Sequence, residues 1–226
     1  DRVSRGLGDV YKRQMVAGST GLVGKALVNN LVSKGQAVRA LVRTQENTTN
    51  PLLEYLRIDF DNFQLPEEKW IDVKDLYICL GTTIKKAGSK EAFQKVDINY
   101  CLEVAKEAQK FGVNNVSLIT SLGSDEKSSN FYLKSKGIIE NNISELEFDS
   151  IAIHRPGLLI GARPELRLAE LLGQKIYPFL INPFLMGYLR KYRCVDGDIL
   201  AKAMINLSGT KEGTNFYYFD DFKKNQ

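Results

Sequence analysis

Residues that bind metals or form disulfides are scarce in this sequence. The 226 residues include one histidine, His154, and three cysteines, Cys79, Cys101 and Cys194, which are widely spaced and form no C-x-x-C pair. These counts argue against a Cys/His metal site, a disulfide framework and a catalytic triad chosen from several histidines. Free cysteines are typical of a reducing compartment, so the sequence predicts a cytoplasmic protein without a bound metal. His154 lies in an apolar strand pattern and is predicted to be structural.

Long apolar runs and a strong charge imbalance are also absent. The nearest candidate for a membrane segment, residues 176–189, is shorter than the ~20 residues that a spanning helix needs and contains two prolines. We predict no transmembrane segment and interpret this run as the wall or lid of a pocket; attachment to a membrane surface is the alternative. The net charge is +4, and no basic stripe with interleaved aromatic residues stands out. Nucleic acid is therefore not a predicted partner.

The first fourteen residues differ in character from the rest of the chain. Residues 1–14, DRVSRGLGDVYKRQ, have neither the apolar core of an export signal nor the pattern of a transit peptide. They resemble translated adapter DNA, so we interpret them as a foreign segment; a native disordered tail is the alternative. Lys12 and Arg13 would then stand where a buried first strand requires apolar residues.

Between residues 15 and 160, short apolar runs alternate with helical patterns. This alternation is typical of a parallel sheet that is covered by helices on both faces. The sequence therefore predicts an α/β fold, a Rossmann-type doubly wound parallel sheet. The six predicted strands are QMVAG, AVRALVR, EYLRIDF, DLYICLG, VSLITS and SIAIHRPG.

From Gly161 onward the alternation weakens. Residues 161–226 mix short helical pieces with prolines and are predicted to form a small substrate-binding annex packed on the same domain. Within the annex, the pattern predicts a helix from about Asp198 to Leu207, with Asp198 as its N-cap.

A glycine-rich loop follows the first predicted strand and opens the first helix. Glycines at this place allow a tight turn, a close approach of backbone N–H groups to a pyrophosphate, and close packing of helix on strand. Because the loop lies between a strand and an amphipathic helix, we predict a dinucleotide site; a plain strand-to-helix turn is the alternative. The predicted cofactor-binding residues of the loop are Gly18, Thr20, Gly21, Leu22, Val23 and Gly24.

An arginine stands at the end of the second predicted strand, where NAD-specific sites usually carry an acid. Arg43 follows Gly24 by 19 residues, and Arg39 lies on the same strand. A guanidinium group there would pair with a 2′-phosphate, so NADP(H) is predicted rather than NAD(H); solvated charges are the alternative. After the third strand, Asp59, next to Phe60, is predicted either to bind the adenine amino group or to cap the next turn.

Four long segments carry a resemblance to a known family. The chain resembles the short-chain dehydrogenase/reductase superfamily in its glycine loop, in Thr120 and Ser121 at the end of the fifth strand, and in Tyr132 and Lys136 on the helix after it. The four segments carry a finer similarity, to atypical members related to the Tat-interacting NADPH-binding oxidoreductase; in order they are CLGTTIKKAG, VDINYCLEVAKEAQKFGV, LITSLGSDEKSSNFYLKSKGIIE and RPGLLIG. The resemblance covers about residues 15 to 207.

The resemblance implies roles for a tyrosine and a lysine on one helical face. Y-x-x-x-K is common by chance, but here the family pattern makes Tyr132 the acid/base, Lys136 its partner and holder of the cofactor ribose, and Ser121 the residue that orients the substrate oxygen. Thr120 is the neighbouring alternative to Ser121. A free phenol titrates near ~10, so such a tyrosine needs a nearby positive charge to act at neutral pH.

Other implied roles are less specific. Asn99 matches a helix asparagine that supports a proton-relay water in many members, although a core or surface asparagine is the favoured interpretation. Two long helices, at 90–111 and 131–146, are of the kind that such folds use to form homodimers. Further residues implied to lie along the cofactor are Leu80, Gly81, Thr82 and Thr83 after the fourth strand, and Pro156 and Gly157 after the sixth.

The expected function is an NADPH-dependent oxidoreductase that acts on a small-molecule carbonyl or alcohol. One alternative is a sugar-nucleotide epimerase or dehydratase, which Arg43 and the short annex disfavour. The other is a non-catalytic NADPH-binding regulator or scaffold, because a fold and a cofactor do not determine a function.

Overall fold

A seven-stranded parallel sheet forms the centre of the computed structural model, which describes residues 12–161, 185 and 187–226. The strands of the described chain are β1 (Arg13–Ala17), β2 (Val38–Val42), β3 (Leu53–Arg57), β4 (Val73–Ile78), β5 (Asn115–Ile119), β6 (Ser150–His154), β7 (Leu159–Ile160), β8 (Val195–Asp196) and β9 (Gly213–Tyr217). The main sheet has the order β3-β2-β1-β4-β5-β6-β9, and β7 pairs with β8 in a small second sheet. The predicted doubly wound fold is confirmed.

Helices cover both faces of this sheet. They are α1 (Leu22–Ser33), α2 (Ile84–Ala87), α3 (Lys90–Gln94), α4 (Cys101–Lys110), α5 (Phe131–Ser144), α6 (Gly197–Leu207) and α7 (Phe219–Lys224). A π-helix (Lys95–Tyr100) joins α3 to α4, so the long helix predicted from the sequence contains a widened turn. None of the helices among the described residues is long and apolar enough to cross a bilayer.

Two apolar cores lie on opposite faces of the sheet. Along β1, Met15 and Ala17 belong to one core and Val16 to the other, as the two-residue repeat of a strand requires. The first core packs against α4 and α5, and the second packs against α1, α6 and α7. Because β1 and β4 are neighbours while the chain runs outward from them in both directions, their carboxyl ends form the switch point where such sheets bind ligands.

The described C-terminal residues, 187–226, differ in two respects from the sequence prediction. The strand β9 pairs in parallel with β6 and extends the main sheet, although its residues were predicted to belong to the annex. It forms the edge of the sheet and is only partly buried, so its sequence GTNFY carries no apolar run that would mark a strand. The helix α6 begins as predicted, but Asp196 is its N-cap, accepting from the Asp198 N–H at 2.8 Å. Asp198 instead accepts from Asn30 and pairs with Lys202. The run 176–189 lies mostly outside the described residues.

The strand β1 includes Arg13 and Gln14, which the sequence analysis assigned to a foreign segment. Gln14 is 5% exposed, and its side-chain oxygen has no hydrogen-bond partner in the described part of the molecule. A buried amide oxygen without a partner costs about 1–3 kcal/mol. This position suits an apolar residue better than glutamine.

We therefore expect Gln14→Val to raise the melting temperature by several degrees, because a gain of about 1 kcal/mol shifts Tm by roughly 2–4 °C in a domain of this size. Thermal unfolding followed by circular dichroism measures the change. Gln45→Val, at an exposed loop position, is the matched control and should leave Tm unaltered. A lower Tm for Gln14→Val would show that the amide has a partner that stabilises the strand.

Candidate functional site

The glycine loop after β1 requires glycine at two positions, because a side chain there would collide with neighbouring backbone. Gly18 has a φ of +84°, and a Cβ atom there would lie 2.6 Å from the backbone of Cys79 at the end of β4. A Cβ atom on Gly24 would lie 2.1 Å from the Gly18 carbonyl oxygen. Both distances are far below van der Waals contact, so larger residues would push the loop away from β4 and α1 away from the loop. Only glycine permits this packing.

The loop leads into the N-terminus of α1 without a side-chain cap. Gly21 is the N-cap, and no acidic residue lies in the first turn. Backbone N–H groups at the start of the helix, at Leu22 and Val23, are therefore not satisfied by a capping side chain, and the positive end of the helix dipole favours an anion there. Thr20 is exposed beside them. The loop and helix end fit a pyrophosphate group.

Ser19 is a loop residue that the sequence analysis missed. It is buried, and its hydroxyl donates to the Leu41 carbonyl at 3.1 Å, which ties the glycine loop to β2. The signal available in the sequence was a serine between Gly18 and Gly21 of the predicted loop, a position where a short side chain can bond to the neighbouring strand.

The two arginines of β2 lie in different environments. Arg43 is exposed directly after the strand, at the carboxyl edge of the sheet. Arg39 is buried near the start of the strand, where its guanidinium group contacts Glu54 at 3.2 Å and the carbonyls of Lys69 and Ile71 at 2.6 and 3.0 Å. Four residues of strand separate the two by roughly 13 Å. Arg39 therefore lies apart from the phosphate position predicted for Arg43, and it is not the solvated charge that the alternative supposed.

Asp59 caps the turn that follows β3. Its carboxylate accepts from the Asp61 N–H at 2.9 Å and from the Asn62 side chain at 3.1 Å. Phe60 is buried and stacks on Tyr100, with ring centroids 5.3 Å apart. The capping alternative is the arrangement found, and adenine binding by Asp59 stays a prediction.

The loop after β4 reaches the predicted catalytic lysine. Leu80 is half-buried and Gly81 is exposed; a Cβ atom on Gly81 would lie 3.9 Å from Lys136 Nζ. The Thr82 N–H donates to Asp97 at 2.8 Å, and the Thr83 side chain caps α2. Lys136 therefore lies next to Gly81, and its contact with a cofactor ribose stays a prediction.

Tyr132 and Lys136 lie on one face of α5, which begins after the N-cap Asn130. Tyr132 is 36% exposed and its ring lies 5.9 Å from that of Phe93. Lys136 is buried, and its Nζ lies 2.7 Å from Asp97 Oδ1. Burial is the largest influence on the pKa of Lys136 and would lower it, but the charge of Asp97, its hydrogen bond and the smaller effects of Tyr132 and Cys101 together outweigh burial, so this pKa is raised.

Asp97 is a site residue that the sequence analysis missed, whereas Asn99 is exposed, as its surface interpretation expected. Asp97 stands between Phe93 and Cys101 at intervals of four, on the buried stripe of the long helix. An acid on an apolar stripe needs a buried partner, and that was the signal available in the sequence.

The side-chain hydroxyls of the two residues after β5, Thr120 and Ser121, have different surroundings. Thr120 is buried, and its hydroxyl donates to Glu140 at 2.5 Å, so this hydroxyl already has a partner within the protein. Ser121 is half-buried, and among the described residues its hydroxyl has one long contact of 3.5 Å, to the Leu122 carbonyl. Ser121 is therefore the better placed of the two to bind a substrate oxygen.

Glu140 continues the face of α5 that carries Tyr132 and Lys136. Its carboxylate receives two hydrogen bonds from Arg155, at 2.9 and 2.5 Å, in addition to that of Thr120. Burial is the largest influence on the pKa of Arg155 and would lower it, but the hydrogen bonds and charge of Glu140, with a smaller effect of Tyr218, together outweigh burial and raise this pKa. This pair joins α5 to the end of β6 beneath the site.

The loop after β6 lies beside Ser121. The Pro156 carbonyl accepts from the Leu122 N–H at 2.8 Å, and a Cβ atom on Gly157 would lie 2.9 Å from the Arg193 carbonyl. The contact of this loop with nicotinamide stays a prediction. His154, before the loop, is fully buried and stacked on Tyr217; burial lowers its pKa to about 3, as suits a structural residue.

A parallel sheet with a glycine loop at its switch point defines a nucleotide-binding protein of the Rossmann class. Residues 18–154 match a family described as NAD(P)H-binding, and the chain belongs to this family. Protein HTATIP2 of Rattus norvegicus is 34% identical over 185 residues, covering 78% of this chain and 75% of that protein. The resemblance seen in the sequence is confirmed.

Two further comparisons extend this result. Protein FMP52, mitochondrial, of Debaryomyces hansenii is 37% identical over 153 residues, covering 66% of this chain and 67% of that protein. The structure of MoeE5 in complex with UDP-glucose and NAD is similar with a TM-score of 0.68 and 13% identity, covering 92% of this chain and 75% of that one. At this identity the likeness shows the fold alone.

Proposed function

We propose that the protein is an NADPH-dependent oxidoreductase of the short-chain dehydrogenase type that acts on a small carbonyl or alcohol. The observation that carries the proposal is the position of the exposed Gly81 at the carboxyl edge of β4, where a Cβ atom would lie 3.5 Å from Asp97 and 3.9 Å from Lys136. A dinucleotide laid across the glycine loop and Gly81 would bring its reactive end to Tyr132. The family match supports binding of the nucleotide.

In this proposal Ser121, Tyr132 and Lys136 have different roles at the substrate oxygen. Ser121 donates a hydrogen bond to that oxygen, and Tyr132 gives it a proton in the direction of reduction. Lys136 favours the resulting phenolate by its charge and binds the ribose. The bound NADPH supplies the hydride.

Arg43 is proposed to select NADPH by pairing with the 2′-phosphate. Loss of one charge-assisted contact costs about 1.5–3 kcal/mol, so we expect Arg43→Ala to weaken NADPH binding roughly 10- to 100-fold and to leave NADH binding unchanged. Fluorescence titration of the purified protein with both nucleotides measures this. Lys106→Ala, which removes an exposed cation from α4, is the matched control.

The results of this titration separate the alternatives. Equal affinity of the unaltered protein for NADPH and NADH would remove the NADP preference. Binding of neither nucleotide would remove the oxidoreductase proposal altogether.

A non-catalytic NADPH-binding regulator is the second candidate. The observation that favours it is the ion pair of Lys136 with Asp97, since a compensated lysine stabilises a phenolate less than a free one. Its mark would be NADPH binding without turnover of any carbonyl. The epimerase alternative rests on the fold likeness alone.

Assembly and location are also proposals. We propose a homodimer through the helices at 90–111 and 131–146, which size-exclusion chromatography with light scattering would test. A cytoplasmic location is proposed from the free cysteines, while the related FMP52 carries the word mitochondrial in its name.

A further inference from the structure

Asp97 lies where the long helix changes its pitch. It belongs to the π-helix Lys95–Tyr100 and is 1% exposed. π-Helical turns are rare and often occur at functional sites, because the extra residue redirects the side chains of one turn. Here the redirected carboxylate points into the protein beneath Gly81.

The carboxylate of Asp97 connects three segments of the site. One oxygen accepts from the Thr82 N–H at 2.8 Å, which fixes the loop after β4. The other lies 2.7 Å from Lys136 Nζ on α5, and it has no hydrogen bond to another described residue. A Cβ atom on Gly81 would lie 3.5 Å from this second oxygen. The buried ion pair therefore lies directly beneath Gly81.

The charge of Lys136 depends on few neighbours. The titratable groups that act on it are Asp97 and Cys101 from the π-helix and α4, and Tyr132 from its own helix. Burial raises the pKa of the Cys101 thiol to about 12, so this group is neutral near neutral pH. Among the described residues, Asp97 is thus the acid that compensates the buried lysine.

We propose that Asp97 is a positioning residue that holds Lys136 charged and directed at Gly81, and that couples this lysine to the loop after β4. Its effect on the reaction rests on the proposed function, whereas its hold on the charge of Lys136 does not. Asp97→Asn separates the two roles of the side chain. The amide oxygen can still accept from the Thr82 N–H, but the negative charge is gone.

Without this charge, Lys136 becomes a buried cation with no acid beside it. Burial then depresses its pKa below the ~10.4 of an unfolded chain. Between the depressed value and ~10.4 the folded variant binds fewer protons than the unfolded chain, so its stability rises with pH. In the unaltered protein the pKa of Lys136 is raised, so this group adds no such rise below ~10.4.

Thermal unfolding between pH 6 and pH 10 tests the charge-holding role. We expect Asp97→Asn to lower Tm by on the order of 10 °C at pH 6, and this gap to narrow as the pH rises to 10. Asn99→Ala, an exposed change on the same helix, should show no gap at any pH. A gap for Asp97→Asn that is constant with pH would overturn the proposal.

A double variant keeps the test decisive if Asp97→Asn fails to fold. Lys136→Met alone leaves the carboxylate buried without its partner, and the combination with Asp97→Asn removes both charges. We expect the double variant to be more stable than Lys136→Met; equal or lower stability would contradict the charge pairing.

The role in the reaction has its own readout. If the protein reduces a carbonyl, Asp97→Asn should move the pH–rate profile to lower pH, because loss of a negative charge favours release of protons from its neighbours. A lower rate with an unshifted profile would limit Asp97 to a structural role. If the unaltered protein binds no NADPH, the proposed function fails, while the pH-dependent stability gap stays a separate result.

Discussion

Replacement of Tyr132 by phenylalanine is expected to lower kcat by about 10²- to 10⁴-fold while the affinity for NADPH stays the same. The change removes only the hydroxyl group that would exchange a proton with the substrate oxygen. Tyr132 is 36% exposed, and its ring contact with Phe93 is kept, so the fold should not respond. Steady-state rates with small aldehydes and ketones, followed by loss of NADPH absorbance, measure kcat. Fluorescence titration measures the affinity.

Tyr55→Phe, on β3, is the matched control: it removes a tyrosine hydroxyl that takes no part in the proposed proton transfer, and it should leave kcat unaltered. A Tyr132→Phe variant as active as the unaltered protein would assign the proton transfer to another group. If the unaltered protein binds NADPH and turns over no carbonyl at all, the regulator is the better description. The two negative results are therefore distinct.

The central sheet was predictable because its strands are buried on both faces. β1, β2 and β4 to β6 carry apolar runs that stand out between helices, and their parallel order follows from that alternation. β9 is an edge strand that pairs only with β6, and it carries polar residues, so its sequence contains no apolar run that predicts a strand. Strand boundaries moved by a few residues, as for β3, where the apolar pattern continues beyond the last sheet pairing.

The candidate site was predictable at positions where steric contacts or helical spacing alone determine the residue. Gly18 and Gly24 are required by contacts that no other residue allows, and Tyr132 and Lys136 share a face by helical spacing alone. The choice between Thr120 and Ser121 was not predictable, because it depends on Glu140, which is 20 residues away from Thr120. The role of a buried acid such as Asp97 similarly could not be predicted, because it depends on a partner, Lys136, that is distant in the sequence.

Replacement of Arg155 by alanine is expected to lower the free energy of unfolding by about 3–5 kcal/mol. Glu140 is 2% exposed and accepts two hydrogen bonds from Arg155, so the change would leave a buried carboxylate without its counter-charge. Arg155 also stacks on Phe216, with its guanidinium carbon 4.4 Å from the ring centre, and bonds to Tyr218 at 3.3 Å. Urea unfolding with equal m-values measures the loss.

A second arginine–carboxylate pair provides the control. Arg190 lies 2.8 Å from Asp220, but both side chains are about half exposed, so Arg190→Ala should change stability far less. If the two alanine variants lose the same stability, burial is not what makes the Glu140 pair important.

Removal of both charges shows whether Arg155→Ala is destabilising because it leaves Glu140 buried and unpaired, or because the ion pair itself stabilises the fold. Attraction inside a protein barely repays the dehydration of two charges, whereas one unpaired buried charge has no compensation. We therefore expect Glu140→Leu combined with Arg155→Leu to recover most of the stability that Arg155→Ala loses. The double variant should still disturb the site, because the Thr120 hydroxyl, directly before Ser121, loses its closer acceptor and keeps only the His154 carbonyl at 3.4 Å among the described residues. Recovered stability with an increased KM would show that Glu140 and Arg155 serve the geometry of the site more than the stability of the fold.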